Sequence, residues 1–232
     1  MNLFYAPAIH TEQVLPEEES AHAVRVLRLQ AGSTIEVVDG AGGFYKAVIT
    51  NPHPKHCTFE IVDKIDEYGK RNYKLHIAIA PTKNIERYEW FIEKAVEMGI
   101  DEITPLLCRY SERKIIKPER LEKIIVSAAK QSIKAFFPKL NTMCSFDDFI
   151  NTKQAAQCFI AHCYDEEKHL LKNLYHKSSD VIILIGPEGD FSQEEVKKAI
   201  AKGYKPVSLG SSRLRTETAG LAACHTVVMM NE

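Results

Sequence analysis

Hydrophobic and polar positions follow two rhythms along this chain, and the change falls near residue 72. Before it, residues 35–39, 44–50 and 58–65 alternate apolar and polar side chains, as half-buried strands do. Gly40-Ala41-Gly42-Gly43 between the first two reads as a glycine-rich hairpin turn. One helix is expected ahead of them, over 16–29. Its first turn is acidic at Glu17, Glu18 and Glu19, which suits the positive end of a helix dipole, and Gly32 follows its end. Several short strands with a single helix predict a small β-barrel.

From Tyr73 onward strands alternate with helices. Leu75, Ile77 and Ile79 read as a strand, and Tyr88, Phe91, Ile92, Ala95, Val96 and Gly99 then fall at helical i, i+3, i+4 spacing. Further strands are predicted at 103–107, 158–162, 181–185 and 206–209. Pro118 opens a helix whose buried face is Leu121, Ile124, Ile125, Ala128 and Ala129, and further helices are predicted at 167–177, 193–202 and 217–230. Such alternation implies a mostly parallel sheet with helices on both faces. The fold class is therefore α/β with a small N-terminal barrel. The expected domains are 1–72 and 73–232, joined through the polar stretch 67–72.

Composition narrows the chemistry only a little. A chain of 232 residues can bury a sizeable core as one domain or two. The net charge of −1 makes any basic footprint for nucleic acid a local one. No apolar run approaches membrane-spanning length, and the N-terminus lacks the basic start and cleavage site of a signal peptide, so a cytoplasmic protein without membrane attachment is expected. The six cysteines are scattered, with no Cys-x-x-Cys and no histidine at ligand spacing; reduced thiols and no metal are the expectation. His22, His76, His162 and His225 fall inside predicted elements and read as packing or capping residues, as do Trp90 and Phe91 on a helix face.

Two loops near the C-terminus carry the chemistry. Gly186-Pro187-Glu188-Gly189 follows the apolar run 181–185, typical of a central parallel strand. Its glycines let backbone approach a ligand and Pro187 stiffens the turn. Ser192 with Glu195 forms a capping box for the next helix. Taken alone, this loop is equally well a tight, well-capped βα turn. Phosphate-loop and dinucleotide fingerprints are both missing from the sequence. The second loop runs Leu209-Gly210-Ser211-Ser212-Arg213-Leu214-Arg215-Thr216-Glu217-Thr218-Ala219. Thr216 is its expected N-cap and Glu217 suits the helix dipole, but Arg213 and Arg215 oppose that dipole unless an anion or polar ligand lies near. Two such loops at one end of a sheet mark the ligand edge of an open α/β fold.

These two loops resemble the cofactor-binding motifs of SPOUT methyltransferases, and most closely the RsmE family, which methylates uridine N3 in small-subunit ribosomal RNA. The similarity runs over nearly the whole chain. Residues 24–29 with Val38-Asp39-Gly40 resemble that family's RNA-binding, PUA-like barrel. Lys83, Glu86-Arg87-Tyr88-Glu89-Trp90, Lys94-Ala95, Glu97-Met98-Gly99 and Pro105-Leu106 resemble its mid-chain signature, and Ala128-Ala129-Lys130-Gln131-Ser132 a further motif. The run 214–219 is the most specific match. Four positions depart: Asp190 stands where the family usually has a second glycine, Leu214 where isoleucine follows arginine, and Lys134 and Tyr110 where arginines are usual. Asp tolerates left-handed backbone better than most residues.

The resemblance implies a C-terminal domain threaded as a trefoil knot, with knot loops near 184–190 and 207–219 holding S-adenosylmethionine. Its implied cofactor-binding residues are Ile185, Gly186, Pro187, Glu188, Gly189, Leu209, Gly210, Leu214, Thr216, Thr218 and Ala219. Methylating uracil N3 needs its anion favoured, and Arg215 is the residue expected to stabilise charge on the uracil carbonyls, with Glu217 as proton acceptor or as orienter of that arginine; both residues equally fit a purely structural role in the loop. The resemblance also implies a homodimer acting on 16S ribosomal RNA within the small subunit, in the decoding region. Arg25 and Arg28, three apart on the first helix, form an expected phosphate track with Lys83, Arg109 and Arg113. A noncatalytic RNA-binding assembly factor with the same architecture is the competing reading.

Overall fold

The computed structural model describes residues 3–152, 156–165 and 168–232. It divides into two compact units, Met1–Lys70 with Val126–Phe137, and Arg71–Ile125 with Pro138–Glu232.

In the first unit β1 (Leu3–Tyr5), β2 (Thr34–Val38), β3 (Phe44–Asn51) and β4 (Thr58–Ile65) form one sheet in chain order, with β1 parallel to β2 and the other pairs antiparallel. The three expected strands appear within a residue of their predicted bounds; β1 is too short to show a period. Phe4, Leu15, Ile35, Val37, Tyr45, Ala47, Ile49 and Phe59 make its core. The 40–43 turn is built around Asp39. Its Oδ1 accepts from the amides of Ala41 (2.7 Å) and Gly43 (2.9 Å), and its Oδ2 accepts from the Tyr45 hydroxyl at 3.1 Å. A side chain at Gly43 would put Cβ 2.3 Å from that carboxylate.

The expected helix over 16–29 is broken. α1 spans only Glu17–Ala21, a π turn follows over His22–Val26, and Arg28 is left-handed at φ 55°. Leu29 N–H reaches back to Ala23 O at 3.0 Å, the closing bond of a left-handed helix cap. Arg28 thus ends the helix four residues before Gly32, and Arg25 and Arg28 do not share a helical face.

The second unit carries β5 (Leu75–Ile79), α2 (Ile85–Met98), β6 (Glu102–Leu107), the first part of α3 (Pro118–Gln131), β7 (Lys139–Leu140), β8 (Cys144–Ser145), α4 (Phe146–Asn151), β9 (Gln157–Ala161), β10 (His169–Leu170), α5 (Leu171–Leu174), β11 (Val181–Ile185), α6 (Gln193–Ala201), β12 (Lys205–Ser208) and α7 (Thr216–Asn231). Its sheet has the order β10-β12-β9-β11-β5-β6-β7, parallel throughout, with β8 beside β6. All five residues of β11 are buried, as a central parallel strand requires. α2 starts where Asn84 Oδ1 accepts from Glu86 N–H at 3.1 Å, buries Tyr88, Phe91, Ile92, Ala95 and Val96, and stops at left-handed Gly99. α6 carries the expected Ser192/Glu195 capping box.

Two helix expectations change. Glu167, where one was to start, lies outside the described residues; within 168–177 the chain is instead an edge strand followed by the single turn α5. Pairing of His169 and Leu170 with β12 satisfies backbone groups that a helix would have used. The other change is at α7, whose cap position is Arg215, with no side chain capping it; Thr216 is already the first helical residue. Among the described residues no helix is long and apolar enough to cross a membrane.

Candidate functional site

Strands β12, β9 and β11 lie side by side and run the same way, so their C-terminal ends share one edge of the sheet. The loops that leave them enclose a cavity of about 550 Å³, lined by 161–164, Lys168, Gly189, Asp190, 207–214 and Ala219. That size lies within the roughly 300–1,000 Å³ of small-molecule sites. It is also the edge where ligands bind in open α/β sheets.

The first glycine loop depends on missing side chains, the second on a backbone conformation that glycine favours. A Cβ on Gly186 would stand 3.0 Å from the Phe191 amide nitrogen, and one on Gly189 would stand 2.9 Å from Tyr110 Cβ. Asp190 N–H closes the turn onto Pro187 O at 2.9 Å, and Asp190 takes φ 64°, the conformation for which a second glycine would serve. In the second loop Ser208 Oγ accepts from Gly210 N–H at 3.3 Å and donates to Gly210 O at 2.9 Å, with Gly210 at φ 141°. Main-chain groups, the Asp190 carboxylate and the cations Lys168 and Arg213 therefore border a pocket with apolar parts, a lining suited to a small polar ligand.

Of the residues expected to bind a cofactor, Gly189, Leu209, Gly210, Leu214 and Ala219 come together on the cavity wall. Ile185, Gly186, Pro187 and Thr216 are buried behind it, and Thr218 is exposed outside it. Glu188 also stands outside; its Oε1 accepts from Lys83 N–H at 2.9 Å, tying this loop to the one after β5. Arg215 is exposed at the start of α7. Glu217 is 7% exposed, with Oε1 4.0 Å from Arg87 Nε and Oε2 lacking a hydrogen-bond partner among the described residues.

Sequence reading missed the wall's third side. The stretch 161–164 lies just past β9, so His162 borders the cavity rather than sitting inside a strand. Cys163 N–H donates to Asp190 Oδ2 at 2.7 Å, and Lys168 Nζ donates to His162 O at 2.9 Å and to Tyr164 O. The available signal was the strand end itself, usable only once β9 is known to lie between β11 and β12. Trp90 is half exposed on α2, whereas Phe91 is fully buried.

The basic residues fall in both units. Arg25 and Arg28 are exposed in the first. In the second, Arg113 donates from Nε to Thr82 O at 2.9 Å and from Nη2 to Lys83 O at 2.5 Å. Lys83 Nζ pairs with Glu112 at 2.7 Å, and Arg109 pairs with Glu194 at 3.4 Å while its amide donates to Glu195 at 2.8 Å. These three cations hold loops together as well as facing solvent. Among the described residues no cluster of three or more His, Cys, Asp or Glu is placed to hold a metal ion.

Comparison with known proteins adds an independent line. A family model described as an RNA methyltransferase domain matches residues 69–228, and one described as an RNA methyltransferase PUA domain matches 15–62. The chain is 31% identical over 208 residues to ribosomal RNA small subunit methyltransferase E of Synechocystis, covering 86% of this chain and 67% of that protein. It superposes on the crystal structure of a probable rRNA methyltransferase from Porphyromonas gingivalis with TM-score 0.93 at 45% identity, over 99% of both chains. A putative methyltransferase from Legionella pneumophila, solved with bound cofactor SAM, gives TM-score 0.87 at 28% identity, over 99% of this chain and 97% of that one.

Proposed function

The chain belongs to the RNA methyltransferase family of ribosomal RNA small subunit methyltransferase E, and from that premise we propose that it transfers a methyl group from S-adenosylmethionine to uridine N3 in the decoding region of 16S ribosomal RNA. The observation that carries this reading is the cavity at the shared ends of β9, β11 and β12, walled by the two glycine loops. Ile185, Gly186, Gly189, Leu209, Gly210 and Leu214 would hold the donor through main-chain groups, with Pro187, Glu188, Thr216, Thr218 and Ala219 shaping the loops around it. The Legionella relative, solved with that cofactor, supports the assignment.

The donor supplies a methyl group on a sulfonium, so displacement needs little covalent help from the protein. Holding donor and acceptor in line can contribute roughly 7–11 kcal/mol. Uracil N3 attacks only as its anion develops. Arg215, exposed beside the cavity wall, is the group we assign to the negative charge that spreads onto the uracil carbonyls. Glu217 is assigned to orient that arginine or to take the proton: a buried carboxylate oxygen without a partner calls for an explanation, and a functional one is available here. The substrate's phosphates would meet Arg25, Arg28, Lys83, Arg109 and Arg113.

Threading of 184–190 and 207–219 as a trefoil knot, and assembly as a homodimer acting on the small subunit, complete the proposal. α7 supports the dimer. Its exposed side mixes Thr218 and His225 with Met229, which is 57% exposed, and a large apolar side chain so exposed on a core helix suits a partner's contact. The decisive experiment maps methylated bases in 16S ribosomal RNA from cells with and without this protein. Loss of one N3-methyluridine is the expected result; an unchanged map overturns the reading.

A further inference from the structure

We propose that Asp190 is a positioning residue that clamps two walls of the methyl-donor cavity, a role resting on the donor assignment above. Asp190 belongs to the loop after β11, and its carboxylate reaches the loop after the neighbouring strand β9. Oδ2 accepts from Cys163 N–H at 2.7 Å while Oδ1 accepts from Phe191 N–H at 2.8 Å. A second bond joins the same loops in the same sense, donated by the Tyr164 hydroxyl to Phe191 O at 2.7 Å. Cys163, Tyr164 and Asp190 all line the cavity. Charge-assisted bonds to main-chain amides are among the stronger hydrogen bonds available.

The backbone at this position, φ 64°, would suit glycine better than any other residue. Were Asp190 only a turn residue, Asp190→Gly would relieve the backbone and leave the site as it is. As a clamp, its carboxylate orders the 163–164 wall before the donor arrives, and its loss makes binding bear that ordering.

The test uses the full-length protein and two substitutions. Calorimetric titration with S-adenosylmethionine should show Asp190→Gly binding about tenfold more weakly, while turnover at saturating donor stays within about twofold of the native enzyme. Asp190→Asn keeps one acceptor oxygen and should fall between. Cys163, an exposed thiol on the freed wall, gives a readout independent of turnover. Its alkylation by iodoacetamide, followed by peptide mass spectrometry, should be faster in Asp190→Gly than in the native protein, with or without donor, and faster than in Asp190→Asn, which removes the same charge from beside the thiol. Equal donor affinity and equal alkylation rates in native and glycine forms overturn the clamp. A native protein that binds no donor overturns the functional reading instead, and the clamp is then judged on the donor-free alkylation rates alone.

Discussion

At the scale of single residues, function and stability rest on different charged side chains. Arg215→Ala should lower turnover on small subunits by roughly 10²–10³, with S-adenosylmethionine affinity unchanged, as measured by labelled-methyl incorporation and calorimetry. Turnover near the native value would remove Arg215 from the mechanism. Asp39 in the first unit does structural work. Burial pushes its carboxyl up, but the amides of Ala41 and Gly43, Tyr45 and His10 outweigh that and hold it below its ordinary 3.8. A group so lowered adds stability above its unfolded value and loses it as pH falls through the folded one. Asp39→Ala should therefore destabilise the first unit by about 1–3 kcal/mol at neutral pH. The gap to the native protein should close below about pH 3.8 in urea melts. Burial and the Asp39 charge raise the Tyr45 hydroxyl to about 12, so that bond persists across the working range.

At the scale of elements, Gly220 sets how closely α7 packs. A Cβ there would lie 2.7 Å from Phe91 and 2.8 Å from Ile79, both fully buried. Gly220→Ala gains about 0.5–1 kcal/mol of helix propensity but overfills a rigid core, which costs about 1–3 kcal/mol. Net destabilisation is expected in thermal melts, and a stabilised variant would show that α7 can shift. Periodicity made the buried stripe of α2 legible from Tyr88 to Val96, while its start at Ile85, set by the Asn84 cap, and its end at left-handed Gly99 are seen only in the structure. Where signals were weaker, the sequence misled. The 16–29 stretch keeps an apolar pattern past Val26, but a π turn and left-handed Arg28 end it early. The 167–177 stretch has helix-forming residues, yet the free edge of β12 captures two of them as a strand. Elements of two residues, such as β7 and β8, have no period to read.

At the scale of the whole molecule, family motifs made both glycine loops legible, whereas the third cavity wall depended on strand order, which no local pattern encodes. The proposed dimer predicts that Met229→Glu, placing a charge on the uncovered side of α7, shifts the protein toward monomer in light scattering; a native protein already monomeric at micromolar concentration would refute it. Arg25→Ala with Arg28→Ala should lower the salt dependence of RNA binding by about one unit of log–log slope per lost phosphate contact, and an unchanged slope would exclude both from the footprint. The strand order β12-β9-β11 has one more consequence. Because the cavity walls come from 161–164, 189–190 and 207–214, no single stretch of peptide contains the pocket. A nascent chain that has paired only its sequence neighbours holds three unconnected fragments of it. Small-molecule recognition thus certifies that maturation is finished, and the cell's own donor, by mass action, stabilises completed copies alone.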